Sequence, residues 1–394
     1  MSQEAKLAAP QRSVRLLLIV LVSVGLVARL ALAFIMDDDR ATRLPESAAY
    51  LAIGRSVAAG HGFVLPEDAA EGRKLAHCMP GYPLILAAAQ VRGETSIRAV
   101  LILQAFAAME TLMLVAWAAS RLAGPWAAVV AAAMLTFDPF QVYFSAQVVP
   151  VTVLALALAA VMLAGVKCLE AVEAGRRSAW LWAALGGLAL AAAAYLEAWA
   201  AGLIVPAAVA ALVSKRRKRL LAGWAVATAV LVVALAPWLV RNASSVGAPL
   251  LTTDLGARPS EGTGAMERPA AWLAAGVARA GQLWSPGRML TGDDGPLRPV
   301  AGYTSLLPTA ALAVAGLVAL RRRAAGLWLL LAPVYVTLVH VVLPGPGTDR
   351  LVVMPSLAVL AGVGLVALLG RGQEAARPAA AAGDVSQGER RSPP

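Results

Sequence analysis

Long apolar stretches separated by short polar connections make up most of this 394-residue chain. Most of them come close to the roughly 20 residues that an α-helix needs to cross a bilayer core. The pattern predicts an all-α integral membrane protein with about ten transmembrane helices. They are expected near residues 14–36, 98–119, 123–139, 147–168, 179–195, 197–213, 220–239, 303–320, 324–343 and 351–370.

The connections between these stretches predict an orientation. Bases cluster in short connections, as in Lys215–Arg219 and Arg321–Arg323. Short loops rich in Lys and Arg remain on the cytoplasmic side, so we expect both termini to be cytoplasmic. The two long polar segments, 37–96 and 242–302, then become structured outer loops of a multi-pass protein in the inner (plasma) membrane.

Composition agrees with membrane insertion, because 59% of the residues are hydrophobic, 14% are charged and the mean hydropathy is +0.71. A soluble domain carries about 25% charged residues. The net charge of +11 does not indicate nucleic-acid binding, because the bases lie in short loops next to apolar stretches. In that position they indicate topology and contacts to membrane lipid.

Both ends of the chain are assigned from their composition. The first apolar run, 16–36, is longer than the core of a signal peptide, so we interpret it as an uncleaved first span. Residues 371–394 are rich in Ala, Pro, Gly and charge, which predicts a disordered cytoplasmic tail. Residues 1–370 then form a single transmembrane domain.

The first outer loop contains helical signals. Pro45 and Gly60 delimit a predicted helix from Glu46 to Ala59, with Ala49, Ile53 and Val57 on one stripe, which we expect along the membrane surface. The motif Pro80-Gly-Tyr-Pro83 predicts a rigid turn into a short helix over Leu84–Val91.

Several chemistries lack their motifs. There is no Walker A sequence, and the loose glycine pattern Gly362–Ala367 lies inside an apolar span, where helix packing explains it better. The three histidines, His61, His77 and His340, are not at metal-ligand spacing, and the two cysteines define no zinc site. The sequence therefore predicts no specific cofactor. The acidic residues would allow a divalent metal to bind, but no spacing among them defines a site.

Arg241 ends the seventh span, after Trp238, and lies on the predicted outer side. A base there runs against the usual charge bias of membrane proteins. Two interpretations are open: the guanidinium binds a phosphate at headgroup level, or the side chain snorkels to lipid headgroups.

Several short motifs appear in a fixed order and together resemble the GT-C glycosyltransferases. They are Glu46-Ser-Ala-Ala-Tyr50-Leu, Gly60-His-Gly-Phe63, Met79-Pro-Gly-Tyr-Pro83, Pro237-Trp-Leu-Val-Arg241-Asn242 and Asp349-Arg350-Leu. The pattern is most similar to the family 39 and RgtA/B/C/D-like branch, akin to protein O-mannosyltransferases and the lipid A aminoarabinose transferase. The resemblance implies a multi-span enzyme that takes a sugar from a polyprenyl-phosphate carrier on the outer face.

The resemblance also implies catalytic roles. Glu46 stands where the family usually has the Asp that acts as general base toward the acceptor. Asp38 and Asp39, beside Asp37, are alternative carriers of this role. The competing interpretations are structural: Glu46 as an acid favoured by the helix dipole, and the aspartates as a solvated stop after the first span.

The remaining candidates would bind the donor. Arg241, with Asn242 beside it, and Arg350 match the basic positions expected to meet the phosphate. Tyr50, Tyr82, His61 and His77 would shape the pocket; Tyr82 either stacks on a sugar or braces its turn, and the histidines are otherwise polar loop residues.

One departure from the family concerns the start of the fourth span, where relatives often carry an acid and this chain reads Tyr143 to Thr152 without one. Asp138 or Glu197 would have to compensate. We therefore predict a glycosyltransferase using a polyprenyl-phosphate sugar and an unidentified acceptor (glycolipid, polysaccharide or protein). A catalytically degenerate scaffold and a lipid-linked-sugar transporter are the alternatives.

Overall fold

A computed structural model describes residues 3–71, 76–252, 269–285, 297–342 and 350–385. The described elements are almost all helical. In chain order they are α1 (Gln3–Ile35), α2 (Asp38–Ala41), α3 (Pro45–Ala58), α4 (Pro66–Ala70), α5 (Gly81–Ala88), β1 (Gln90–Val91), β2 (Glu94–Thr95), α6 (Ile97–Ala123), α7 (Pro125–Thr136), α8 (Pro139–Phe144), α9 (Val151–Glu173), α10 (Ser178–Leu196), a 3-10 helix (Ala198–Leu203), α11 (Ile204–Val213), α12 (Arg217–Ser245), α13 (Pro269–Leu283), α14 (Leu297–Leu320), α15 (Ala324–Val342) and α16 (Arg350–Val385).

The predicted number of apolar segments is accounted for by these helices. Within the described ranges, eight helices are long and apolar enough to cross a bilayer: α1, α6, α9, α10, α12, α14, α15 and α16. Two shorter apolar stretches, α7 and Ala198–Val213, fall at two further predicted spans, 123–139 and 197–213. The all-α membrane architecture is therefore confirmed. The last helix continues to Val385, and the disorder of the tail beyond 370 stays a prediction.

Small residues bring the long helices close together. A methyl group on Gly364 of α16 would lie 2.0 Å from the carbonyl oxygen of Leu312 in α14, and one on Gly362 would lie 2.3 Å from Ala127 O in α7. Backbones can approach this closely only where no Cβ intervenes. The glycine pattern at 362–367 thus serves helix packing, as the sequence indicated.

Gly364→Ala is expected to destabilise the bundle by about 1–3 kcal/mol, because the added methyl group forces α14 and α16 apart. Gly370→Ala is the matched control on the same helix, since nothing lies within 4 Å of its added Cβ. Thermal unfolding in detergent measures both variants. Equal melting temperatures for the two would contradict the close approach.

The first polar segment, 37–96, is structured. Its helix α3 lies where the sequence predicted a helix, whereas α5 is shifted from its predicted position. Pro45 opens α3, and Gly60, with φ of +80°, follows its end. Its buried face holds Ser47, Ile53 and Gly54, whereas Ala49 of the predicted stripe is exposed. The difference arises because α3 packs on α5 through Gly54, a contact that the apolar pattern does not report.

The second helix of this segment begins earlier than predicted. Instead of Leu84–Val91, α5 covers Gly81–Ala88, so the proposed turn is its first turn. Proline fits there because the first N–H groups of a helix have no partner within it. Val91 belongs to a tight hairpin whose turn, Arg92-Gly93, has positive φ at both residues, 55° and 88°.

Contacts between distant segments define one end of the bundle, which we call the loop end. The carbonyl oxygen of Ala41 accepts from Val148 N at 2.8 Å, and Arg43 donates to the hydroxyl of Tyr143. The other end, where α12 starts, is called the basic end. Arg217 and Arg241 of α12 are separated by about 36 Å at the helical rise of about 1.5 Å per residue, which is enough to span a bilayer.

Candidate functional site

Glu46 lies in the first turn of α3 and is exposed at the loop end. No hydrogen bond or ion pair reaches its carboxylate from the part of the chain that the structure describes. Tyr50 follows one turn later, and residues four apart share a helix face. The geometry therefore leaves the Glu46 carboxylate accessible beside Tyr50, as a base toward an external substrate requires.

Tyr50 links α3 to a second acid. Its hydroxyl donates to Glu197 Oε1 at 3.2 Å, and its ring packs edge-on against Tyr82 with centroids 5.2 Å apart. Burial, and next the charge of Glu197, raise the pKa of Tyr50 well above its usual value. Tyr50 thus remains protonated and holds Glu197 toward the first loop.

Tyr82 is buried behind Tyr50 and bonded within the protein. Its side chain is fully buried, and its hydroxyl donates to Gln104 Oε1 at 2.8 Å. Gln104 in turn donates to the carbonyl oxygens of Ser145 and Gln147, at 3.1 and 2.8 Å. The close approach of Gly81 to Tyr195 O fixes the same turn, because a Cβ there would lie 2.6 Å from that oxygen. These contacts favour the bracing interpretation of Tyr82.

Tyr82→Phe is expected to lower the free energy of unfolding by about 1–3 kcal/mol, because it leaves the buried Gln104 oxygen without its donor. Tyr143→Phe, which removes a hydroxyl bonded to the exposed Arg43, should cost less than about 1 kcal/mol because water replaces that partner. Thermal unfolding of both variants tests the difference. A smaller loss for Tyr82→Phe than for Tyr143→Phe would contradict the bracing role.

Arg241 contacts the first loop directly. One guanidinium nitrogen donates to Phe63 O at 3.4 Å, another to Asn242 Oδ1 at 2.8 Å, and the group stacks over Trp238 at 5.0 Å. Phe63 packs edge-on against Trp238, with centroids 5.3 Å apart. A guanidinium has five N–H donors. The described residues engage two of its nitrogens and leave donors for an anion.

Asn242 positions this arginine and closes the end of α12. Its side chain is buried, accepts from Arg241 and donates to Leu250 O at 2.6 Å. Trp238 Nε1 donates to Leu251 O at 2.7 Å, one residue further on. The segment after α12 is thereby folded back beneath the guanidinium.

The two loop histidines occupy different settings. His61 is exposed just beyond α3, and its backbone N–H donates to Ser56 O at 2.9 Å. His77 pairs through Nε2 with the buried carboxylate of Asp68. Thr252 Oγ1 donates to Ala76 O at 2.7 Å, so this pair is attached to the segment after α12.

The aspartates after the first span lie at the surface. Asp37 caps α2 by accepting from Arg40 N at 2.8 Å and forms an exposed ion pair with that side chain. Asp38 and Asp39 follow in the first turn of α2 and are exposed. The structural interpretation fits Asp37, and a catalytic role for Asp38 or Asp39 stays a prediction.

Arg350 is buried in the bundle. Its guanidinium stacks over Phe140 at 5.4 Å and donates to Ser285 O at 3.2 Å. Its charge, with that of Arg29, acts on Asp138. A phosphate contact by Arg350 therefore stays a prediction, and Asp349 of the same motif lies outside the described residues.

Asp138 is a buried residue that caps a helix. It is 2% exposed and caps α8 by accepting from the N–H groups of Phe140 and Gln141. Burial raises the pKa of Asp138, opposed by these hydrogen bonds and by Arg350 and Arg29. Sequence reasoning missed Arg29, although a lone charge inside the first apolar span was the signal for it. In the described ranges, no three His, Cys, Asp or Glu side chains cluster as metal ligands.

Comparison with known proteins supports the fold. Residues 79–240 match the family model described as dolichyl-phosphate-mannose-protein mannosyltransferase. ArnT from Cupriavidus metallidurans, solved bound to undecaprenyl phosphate, is similar with a TM-score of 0.59 and 18% identity, over 88% of this chain and 59% of ArnT. No curated protein sequence matches the chain significantly.

A second relative in structure is the archaeal oligosaccharyltransferase AglB from Archaeoglobus fulgidus, solved in complex with an inhibitory peptide and a dolichol-phosphate. Its TM-score is 0.52 and its identity 11%, over 91% of this chain and 52% of AglB. This chain thus spans between half and three fifths of the length of these relatives. The resemblance to GT-C glycosyltransferases is confirmed: the chain has the GT-C fold and is a multi-pass membrane protein.

Proposed function

We propose that this protein is a membrane glycosyltransferase that moves a sugar from a polyprenyl-phosphate-linked donor to an acceptor at the loop end. The observation that carries this proposal is the contact between Arg241 and Phe63 O. It attaches a cation, some of whose donors are engaged by none of the described residues, to the same loop that presents Glu46, within a GT-C fold. Undecaprenyl phosphate in ArnT and dolichol-phosphate in AglB support the class of carrier.

In the proposed reaction a base activates the acceptor and a cation stabilises the leaving phosphate. Glu46 accepts the proton of the acceptor hydroxyl as its oxygen forms a bond to the anomeric carbon of the sugar. The bond from that carbon to the phosphate oxygen breaks, and its electron pair leaves with the phosphate. Arg241 stabilises the negative charge that develops there. Attack opposite the leaving group inverts the anomeric centre.

Glu197 supplies the acidic contact that the fourth span lacks. It lies at the loop end in contact with Tyr50, whereas Asp138 is 2% exposed and caps a helix in the core. A carboxylate held by Tyr50, one helical turn from the base, is suited to accept hydrogen bonds from sugar hydroxyls. We assign sugar binding to Glu197 and stabilisation of the bundle to Asp138.

The orientation is part of the proposal. With both termini cytoplasmic, the basic end faces the cytoplasm and the loop end faces the periplasm of an inner membrane. The lipid carrier would then approach between helices from the bilayer, while the acceptor, a glycolipid, polysaccharide or protein, approaches from outside.

Transfer from radiolabelled polyprenyl-phosphate sugars tests this function, using the purified full chain in liposomes with a membrane extract as the acceptor source. Label should move to an acceptor from at least one polyprenyl-phosphate sugar and not from the matching nucleotide sugar. Absence of transfer from every polyprenyl donor would support the degenerate scaffold. Movement of the intact donor between leaflets, without transfer, would support a transporter.

A further inference from the structure

The basic end of the bundle contains a cavity of about 410 Å³ that the glycosyl-transfer site does not use. Five bases from two connections about a hundred residues apart line it, with one acid among them. They are Lys215, Arg216, Arg321, Arg322 and Arg323, with Glu173. Retention of a loop in the cytoplasm explains why such bases occur but not why two loops converge on one cavity.

These bases are available to a ligand. All five are exposed, and among the described residues no ion pair reaches any of them. Arg321 donates to Val318 O at 3.0 Å, within its own helix end. Concentrated positive charge without internal partners favours an anion, and guanidinium groups bind phosphate oxygens in pairs.

A second cavity, apolar and about 100 Å³ in volume, adjoins the basic one and shares Leu169, Ala210 and Leu220 with it. Its other walls include three indole rings, those of Trp182, Trp224 and Trp328. This cavity lies between α9, α10, α11 and α12, further from the basic end than the five bases. A hydrocarbon chain fits a cavity with such apolar walls, whereas a soluble anion would not enter it.

We propose that the two cavities together form a binding site for an anionic membrane lipid. Its phosphate headgroup is held by the bases of the 215–216 and 321–323 connections, and one hydrocarbon chain enters the apolar cavity. The bases lie where helices α11 and α14 end, at the depth of lipid headgroups. The site is separate from the loop end and does not rest on the proposed glycosyl transfer.

Binding of phosphatidylglycerol with dibrominated acyl chains tests this proposal, because bromine quenches the indoles that line the apolar cavity. Detergent-solubilised full chain should show saturable tryptophan quenching at low lipid concentration. Arg322→Gln/Arg323→Gln should raise the apparent Kd about tenfold, through lost phosphate contacts. Ala207→Leu, which fills the apolar cavity, should weaken binding while leaving all five bases in place.

Arg217→Gln/Lys218→Gln is the matched control, because it removes the same charge from the same end without touching either cavity. It should change Kd less than about twofold. An equal rise in Kd for both double variants would overturn the proposal. It would show that binding depends on the overall positive charge of the basic end and not on the cavity. Equal binding of brominated phosphatidylcholine would also overturn it, as would glycerol phosphate competing as well as the whole lipid.

Discussion

Glu46→Gln is expected to lower the rate of sugar transfer by about 10²- to 10⁴-fold, the usual contribution of a positioned general base. Glutamine keeps the size of the side chain but cannot accept the acceptor's proton. The carboxylate is exposed and engaged by none of the described residues, so the substitution should leave the melting temperature unchanged. Initial rates at saturating donor and acceptor measure the effect.

Glu67→Gln is the control for Glu46→Gln, because Glu67 is an exposed acid in the first turn of α4, in the same loop. Its transfer rate should stay within about twofold of wild type. Undiminished transfer by Glu46→Gln would remove Glu46 as the base. Asp38→Asn and Asp39→Asn would then identify which of the alternative acids carries the role.

Arg241→Gln is expected to raise KM for the donor by about 10- to 100-fold, since charge-assisted hydrogen bonds to phosphate contribute about 1.5–3 kcal/mol. It should also lower kcat, because the negative charge on the phosphate grows as the bond to the sugar breaks. Arg241→Lys keeps the charge but loses the paired donors, so it should restore only part of the activity. Steady-state kinetics with a fixed acceptor separate the two parameters.

A purely structural role for Arg241 would give a different result, because the guanidinium also stacks on Trp238 and bonds to Phe63 O. In that case the melting temperature falls and KM for the acceptor rises together with KM for the donor. Arg55→Gln provides the control, since Arg55 pairs with Glu94 at the exposed rim of the same loop. Its kinetics should match wild type.

Helices of the bundle could be predicted from the sequence because each signal is local. The apolar stretches needed only length and composition, and α3 needed only Pro45, Gly60 and the residues between them. The start of α5 was missed because Pro83 reads as a turn residue unless its neighbours hold it in a first helical turn. Ala49 was assigned to the wrong face because burial of α3 depends on α5 packing against Gly54.

The candidate site was predictable only where a residue broke a local rule. Arg241 was predicted because a base at the outer end of a span is unusual, and in the structure it contacts the first loop. Tyr82, by contrast, read equally well as a sugar platform or a brace. Its burial and its hydrogen bond to Gln104 favour the brace, and no property of the Pro-Gly-Tyr-Pro motif reports that contact.

The sequence by itself determined that this chain is a helical membrane protein, which stretches are apolar enough to enter a bilayer and which loop carries the candidate base. These properties follow from hydrophobicity and turn chemistry within short windows. Only the tertiary structure showed that Asp138 is buried as a helix cap while Glu197 contacts Tyr50, and only it joined the 215–216 and 321–323 bases around one cavity. Both depend on how distant helices pack, because that packing determines which charges are buried and which face a ligand.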